Sequence, residues 1–188
     1  MANLIITIIS IALVAVAALM GAYYGGTAFL QGSAKAKANA IINQGQQIAA
    51  AWITYTVNNG GNRVLISDGN SSLLAIATLI PTYLQNEPSN PAQPAAPTLT
   101  GWNFINSDDD TDGGDNYYAT ANSVIAEIDS REICLAVRQM SAGSAATLTD
   151  HGGGDPFGSG YAIEPANGKF DCFCFSGCTT YFFVYKVF

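Results

Sequence analysis

The feature that most constrains this 188-residue chain is an uncharged, apolar amino-terminal segment. No Asp, Glu, Lys or Arg occurs before Lys35, and in residues 4–22 only Thr7, Ser10 and Gly21 interrupt the apolar run. About twenty apolar residues are needed to cross the hydrocarbon core of a bilayer as a helix. Because isolated Thr and Ser hydroxyls can hydrogen-bond to their own helix, they interrupt such a span at little cost. The segment therefore predicts a membrane-spanning helix.

A removable secretory signal peptide is the alternative interpretation of the same segment. Such a signal has a positively charged start, a shorter apolar core and a small-residue cleavage site. Here no basic residue precedes the apolar run, and the run is long. These features favour a retained span, and the absent basic flank indicates that a leader has already been removed.

The side of the membrane on which the rest of the chain lies is indicated by two opposing signals. Lys35 and Lys37 follow the span, and the positive-inside rule would draw them to the cytoplasm. Two charges are a weak signal, whereas four cysteines and an acidic loop suit an oxidising exterior. We therefore expect the carboxyl-terminal part to lie outside the cell.

Helical patterning continues beyond the span, after a stretch weakened by Gly21, Gly25 and Gly26, each of which costs about 1 kcal/mol relative to Ala in a helix. We predict one helix over residues 1–57, apolar over 1–30 and amphipathic over 31–57, followed by a globular head over 58–188. The second half of the helix is expected to pack on the head through its apolar side. That side carries Ile41, Ile48, Trp52 and Tyr55, with Ile42, Ala49, Ile53 and Thr56 beside them; Lys35, Asn39, Asn43, Gln46 and Gln47 lie opposite.

The head is predicted to have an α+β fold with an antiparallel sheet. The expected order is a short helix over 73–84 limited by Pro81, a proline-rich surface loop over 87–97, strands over 101–105 and 117–126, a helix over 130–140, and one or two strands within 160–188. In the helix over 130–140, Ile133, Val137 and Met140 should share one side with Cys134. In the aromatic tail, Tyr181, Phe183 and Tyr185, or their alternates, should be buried. An exposed edge strand of that composition would be prone to aggregation, so the tail should lie in the centre of the sheet or be covered.

This organisation resembles the type IV pilins, specifically the larger type IVb kind. Their first helix is apolar in its first half, amphipathic in its second, and leads into a globular head. The stretch SLLAIATLIPTYLQNEPSNP is similar to their short helix ending in a proline turn, and SREICLAVRQM with a distant cysteine is similar to their disulfide-bounded region. Most members carry a glutamate at the place of Ile5, and many carry a proline near the place of Gly21.

The resemblance implies a structural subunit of an extracellular filament for adhesion, motility or DNA transfer. Its partners would be further copies of itself, the inner membrane before assembly, and a pilus assembly machinery. The alternatives are a type II secretion pseudopilin, a minor pilin at the filament tip, and a bitopic membrane protein with a binding ectodomain. The residues expected to drive self-assembly are Leu4, Ile5, Ile8, Ile9, Leu13, Val16, Leu19 and Met20.

The four cysteines are Cys134, Cys172, Cys174 and Cys178, which allow three disulfide pairings. Cys172 and Cys174 are expected to point to opposite faces of a strand and so not to join each other. Cys134 should then bond one of the other three, and the simplest arrangement of the rest closes a small loop between Cys174 and Cys178. A four-thiolate zinc site is the alternative, but the paired Cys-x-x-Cys spacing of such sites is absent.

An acidic run contains a second candidate metal signal. Asp108, Asp110 and Asp112 followed by Gly113 match the first six positions of a calcium-binding loop, D-x-D-x-D-G. The twelfth position is Ala119, so the closing bidentate acid is missing. The candidate ligand is therefore Ca²⁺, and a solvated acidic turn is the alternative.

Charge and motif content argue against nucleic-acid binding and catalysis. Seven Lys and Arg against fourteen Asp and Glu give a net charge of −7, which repels polyanions. The only histidine, His151, opens a His-Gly-Gly-Gly run similar to an esterase oxyanion hole, but the chain has no G-x-S-x-G nucleophile motif. We therefore predict a protein that is not an enzyme and has no direct nucleic-acid site.

Overall fold

The computed structural model describes residues 2–63, 72–105, 122–143, 147–148, 150 and 168–188. They form an α+β fold, as predicted, with a long amino-terminal helix and a four-stranded antiparallel sheet. In chain order the elements are α1 (Ala2–Asn58), α2 (Ser72–Leu79), β1 (Trp102–Ile105), β2 (Ser123–Ile128), α3 (Arg131–Ala142), β3 (Phe170–Phe175) and β4 (Thr180–Lys186).

The chain divides into two compact units, Met1–Ala34 and Lys35–Phe188. The boundary falls inside α1, so residues 35–58 of this helix belong to the head unit. The helix is continuous through Gly21, Gly25 and Gly26. It ends where expected, because Gly60 and Gly61 adopt positive φ angles of 68° and 92° that a helix cannot continue.

The amphipathic part of α1 buries most of the side that its periodicity predicted, including Ala49 and Thr56, but Ile53 is 41% exposed and its predicted place on the packing side is wrong. Ile41, Ile48 and Trp52 have no exposed surface. The Trp52 ring packs edge-on against Phe104 of β1, and its Nε1 donates a hydrogen bond to the Arg63 carbonyl oxygen at 2.9 Å. This combination of an apolar contact and a satisfied indole N–H is typical of a buried tryptophan.

The sheet has the strand order β1-β2-β4-β3, with every neighbouring pair antiparallel. The aromatic tail therefore supplies a central strand, β4, as expected for a segment that would be prone to aggregation at the edge of a sheet. Its neighbour β3 lies at the edge of the described sheet. There Asp150 forms an isolated parallel bridge with Cys174.

Both faces of the central strands are buried. On the face toward α1, Phe183 packs edge-on against Trp102 and lies directly beside Gly45 of the helix. The opposite face carries a cluster against which Leu99 packs, made of Ile125, Phe173, Phe175, Phe182 and Val184. The expected burial of one alternating set in β4 is therefore incomplete. Phe182, Phe183 and Val184 are all buried, whereas Tyr181 and Tyr185 are half-buried. The middle of the strand is covered on one face by α1 and carries the cluster with Leu99 on the other.

Helix α3 begins and ends on recognisable capping residues. The Ser130 Oγ accepts a hydrogen bond from the Ile133 N–H, and Gly143 adopts a positive φ of 74° while its N–H donates to the Gln139 carbonyl oxygen. The helix extends to Ala142 rather than to Met140. Ile133, Cys134, Ala136 and Val137 are buried as a group, whereas Met140, which shares their side of the helix by its spacing, is 38% exposed.

Two other predicted boundaries also differ from the structure. Helix α2 ends at Leu79 instead of residue 84, since Pro81 has no backbone N–H to continue the helix. The N–H groups of Tyr83 and Leu84 instead donate to the Leu79 carbonyl oxygen as a turn. Strand β2 extends to Ile128, two residues beyond the prediction, and the expected start at 117–121 lies outside the described residues.

The proline-rich loop is fastened to the end of β2. The side chain of Asn90 donates to the Glu127 carbonyl oxygen at 2.7 Å, and the buried Glu127 carboxylate accepts from the Leu99 N–H at 2.8 Å. Trp102 Nε1 donates to the Pro88 carbonyl oxygen at 2.8 Å. These bonds satisfy groups that burial would otherwise penalise, and they hold the loop against the sheet.

Candidate functional site

The candidate functional surface is the outside of α1 between residues 4 and 30, here called the apolar rod. The eight predicted assembly residues are all exposed, with between 50% and 72% of each side chain accessible. They lie on one half of the helix, and the exposed Ile6, Ile11 and Val14 lie on the other half, so the rod is apolar around its whole circumference. A helix that is apolar on every side has no face suited to water.

The prediction identified only part of this surface. Six further large apolar or aromatic side chains are exposed on the same rod: Ile6, Ile11, Val14, Tyr23, Phe29 and Leu30. The signal for them was present in the sequence, since they lie in the same uncharged segment. The described helix exposes apolar side chains in every direction.

The free energy available from covering the apolar rod is large. Burying one Val, Leu, Ile or Met side chain contributes about 1.5–3 kcal/mol. Covering the eight predicted residues alone is therefore worth on the order of 10–20 kcal/mol. That value equals or exceeds the whole stability of an ordinary domain, about 5–15 kcal/mol. In its working state the rod must consequently be covered by lipid or by other protein.

The polar groups within the apolar rod are satisfied inside the helix. Thr7 Oγ1 donates to the Asn3 carbonyl oxygen and Ser10 Oγ donates to the Ile6 carbonyl oxygen, both at 2.8 Å. Inside hydrocarbon no water replaces a missing hydrogen bond, so internal satisfaction of this kind is required of a spanning helix. Within the described residues, α1 is the one helix long and apolar enough to cross a membrane.

Packing against the described residues does not explain the glycines of the rod. A Cβ atom placed on Gly21, Gly25 or Gly26 would meet nothing within 4 Å there, and the same is true of Gly32 just beyond the rod. Each glycine nevertheless weakens the helix by roughly 1 kcal/mol relative to alanine. In membrane and bundle helices, small residues let two helix backbones approach closely.

The disulfides of the head join Cys134 to Cys172 and Cys174 to Cys178, so none of the four cysteines is free. This is the arrangement that the sequence favoured, but one reason given for it is wrong. Residues two apart on a strand share a face, so Cys172 and Cys174 of β3 point the same way. Their Cα atoms would be about 6.6–6.8 Å apart, at the upper limit for a disulfide. Each instead bonds a nearer partner, with Cα–Cα distances of 5.3 and 4.7 Å.

The Cys134–Cys172 bond links α3 to β3 covalently. One turn further along α3, Arg138 Nε lies 3.9 Å from Asp171 Oδ1, with side-chain exposures of 11% and 7%. The same Asp171 oxygen accepts a hydrogen bond from the Cys172 N–H at 2.8 Å. A covalent bond and a largely buried ion pair thus hold the helix on the edge strand.

The remaining electrostatic features of the head are modest. Lys37 of α1 pairs with Asp129 at 3.1 Å near the surface, where a pair of this kind contributes little to stability. Burial raises the pKa of Tyr185 above its ordinary value of 10.0. Neither feature positions a reactive group.

The predicted calcium ligands Asp108, Asp110 and Asp112 lie outside the described residues, as does His151, so the calcium site stays a prediction. In the described part of the chain a different group comes together at the end of β3. An Asp150 carboxylate oxygen and the sulfur atoms of Cys174 and Cys178 lie within 4.8 Å of one another. Sequence reasoning missed this group because Asp150 is distant in the chain and carries no motif.

Comparison of the chain with protein families, with curated proteins and with solved structures finds no match. The function must therefore be argued from the molecule itself. A long apolar amino-terminal helix, an antiparallel sheet and two disulfides are compatible with a pilin-like fold. They fit a pilin-like subunit or a bitopic membrane protein.

Proposed function

We propose that this chain is the structural subunit of an extracellular filament similar to a type IVb pilus. The subunit is held in the inner membrane by the apolar rod before assembly, and an assembly machinery then transfers it to a growing fibre. In the fibre, the rods of many copies cover one another, while the heads face water. No catalytic step is part of this role.

The observation that carries the proposal is the apolar rod, uncharged and exposed around its circumference. Lipid tails are about as apolar as leucine side chains, so moving the rod from lipid to a bundle of rods changes the hydrophobic free energy little. Membrane and fibre are therefore two environments that suit the same surface. Close packing between helices then decides whether the rod prefers the membrane or the fibre.

The glycines support this choice between environments. A Cβ atom on Gly21, Gly25, Gly26 or Gly32 would meet no neighbour within 4 Å in the described part of the chain, and a lipid-facing position needs no small residue. Facing another rod, each glycine allows a closer approach and more van der Waals contact. We therefore place them at contacts between copies.

The disulfides and the charge distribution support an exterior location for the head. Two disulfides persist where the medium is oxidising, as it is in the periplasm and at the cell surface. In a filament, they would brace the head against mechanical load. The net charge of −7 would keep neighbouring heads soluble.

The test is to shear surface fibres from cells that express the full chain and to identify the subunit by mass spectrometry and electron microscopy. We expect long fibres made of this polypeptide. The variant Gly25→Leu keeps the rod apolar, so membrane insertion should persist while fibre yield falls. The matched control Ile9→Leu changes neither size nor apolarity appreciably and should leave the yield unchanged.

The alternatives give different outcomes in the same experiment. A bitopic membrane protein would remain in the membrane fraction with no fibres, and Gly25→Leu would have no effect. A pseudopilin would be absent from sheared surface material and would form only short periplasmic assemblies. Either outcome overturns the proposal of a surface filament.

A further inference from the structure

The two disulfides of the head differ in their access to solvent at a single cysteine. Cys134, Cys172 and Cys174 have no exposed surface, whereas Cys178 lies in the turn between β3 and β4. Cys178 is half-buried and its neighbours Gly177 and Thr179 are exposed. Because thiol–disulfide exchange requires attack on a sulfur atom, access favours opening of the Cys174–Cys178 bond.

The backbone of this turn is held in an unfavourable conformation. Ser176 and Cys178 have positive φ angles of 54° and 62°, in the left-handed region that favours glycine, and Gly177 between them has 68°. A non-glycine residue in such a region costs about 1–3 kcal/mol. Opening the bond would let the turn relax, which again favours its reduction over that of the buried bond.

Asp150 adds a third ligand group to the two sulfurs. Its backbone is bridged to Cys174, which holds it beside the edge of β3, and its side chain is exposed. A carboxylate oxygen and the two sulfurs lie within 4.8 Å of one another. In a tetrahedral zinc site, bonds of about 2.3 Å to sulfur and 2.0–2.2 Å to oxygen put the ligand atoms about 3.3–3.8 Å apart. The Asp150 oxygen therefore lies within 4.8 Å of both sulfurs, and the sulfurs, which are bonded to each other in the oxidised protein, must separate to about 3.8 Å when they bind the metal.

We propose that the Cys174–Cys178 turn and Asp150 form a redox-controlled site for a thiophilic divalent cation such as Zn²⁺. In the oxidised protein the sulfurs are bonded to each other and hold no metal. A dithiol reductant supplies two electrons and two protons: the S–S bond breaks, two thiols form, and the dithiol becomes a cyclic disulfide. Zn²⁺ then displaces the two thiol protons and is bound by both thiolates and the Asp150 carboxylate, with water as the fourth ligand.

The site is independent of whether the chain polymerises, so its test does not depend on the filament proposal. The full-length protein in mild detergent is treated with a phosphine, because dithiols themselves bind Zn²⁺. The phosphine takes oxygen from water to become its oxide while the disulfide becomes two thiols. Alkylation and peptide mapping should then show Cys174 and Cys178 modified before Cys134 and Cys172.

Metal binding is measured by titrating Zn²⁺ against a coloured chelator after the phosphine has been removed. We expect one tight site in the reduced protein and none in the oxidised protein. Asp150→Asn should weaken binding at least about tenfold, because losing even an outer-shell partner costs 10–100-fold. Asp129→Asn, which removes an exposed carboxylate paired with Lys37, should leave the affinity unchanged.

Three results would overturn the inference. The first is simultaneous or earlier modification of Cys134 and Cys172, which would remove the basis for selective opening. The second is no Zn²⁺ bound by the reduced wild-type protein. The third is equal affinity of the wild type and Asp150→Asn, which is also the result expected if reduction unfolds the head and the metal binds an unstructured chain.

Discussion

Gly45 offers a direct test of how α1 packs on the head. A Cβ atom at this position would lie 2.8 Å from Phe183 Cε1, 3.2 Å from its Cζ and 3.3 Å from Tyr185 Cβ. Ordinary contacts between carbon atoms are about 3.5–4.0 Å. The Phe183 ring is fully buried and the Tyr185 Cβ is attached to the backbone of a central strand, so neither can move away cheaply.

The expected cost follows from two opposing effects. Overpacking of a core typically costs about 1–3 kcal/mol, while replacing a helical glycine by alanine gains about 1 kcal/mol of helix propensity. Gly45→Ala should therefore lower the free energy of unfolding by about 0–2 kcal/mol. Gly45→Val adds two methyl groups at the closest point and gains less propensity, so its loss should be about 2–3 kcal/mol.

The measurement is equilibrium urea unfolding of the full chain in mild detergent, followed by tryptophan fluorescence. Both tryptophans report on the relevant region, since Trp52 contacts Phe104 and Trp102 contacts Phe183. Gly32→Val is the matched control: it lies in the same helix, and its new Cβ would meet nothing within 4 Å. A Gly45→Val protein as stable as the wild type, or one no less stable than Gly32→Val, would refute the packing argument.

Two further predictions concern the head. Replacing Cys134 and Cys172 together by alanine should lower the free energy of unfolding by about 3–4 kcal/mol, because their bond closes a loop with a sequence separation of 38. The measurement is denaturation under non-reducing conditions, and a loss below about 1 kcal/mol would contradict this prediction. Because burial raises the pKa of Tyr185, the folded protein keeps this proton when the unfolded chain has lost it, so stability should fall as the pH rises above about 10. Tyr185→Phe should remove the part of this loss of stability that comes from the tyrosine hydroxyl. If stability falls equally steeply with pH in the wild type and in Tyr185→Phe, Tyr185 does not contribute to the pH dependence.

Local patterns in the sequence were sufficient to predict the helices and strands. The apolar segment before Lys35 predicts a spanning helix because hydropathy summed along a helix needs no knowledge of distant residues. The stop after Asn58 and the cap at Ser130 likewise depend on residues within one turn. The pairing of the cysteines was also anticipated, although the argument about Cys172 and Cys174 misplaced their faces.

Contacts between distant segments could not be anticipated in this way. No pattern in the sequence brings Asp150 beside Cys174, fastens Asn90 to Glu127, or places Gly45 against Phe183. Met140 is 38% exposed although its helical spacing places it on the same side of α3 as the buried Ile133 and Val137. Phe182, Phe183 and Val184 are consecutive in β4 and all buried, because residues from distant parts of the chain cover the strand on both faces.

The sequence alone determined that this protein carries a segment unsuited to water and a disulfide-containing head of mixed α and β structure. Only the tertiary structure decided which head residues are buried, which disulfide is accessible and which carboxylate accompanies it. The physical reason is that secondary structure and hydropathy arise from neighbours along the chain, whereas burial and ligand geometry arise from neighbours in space.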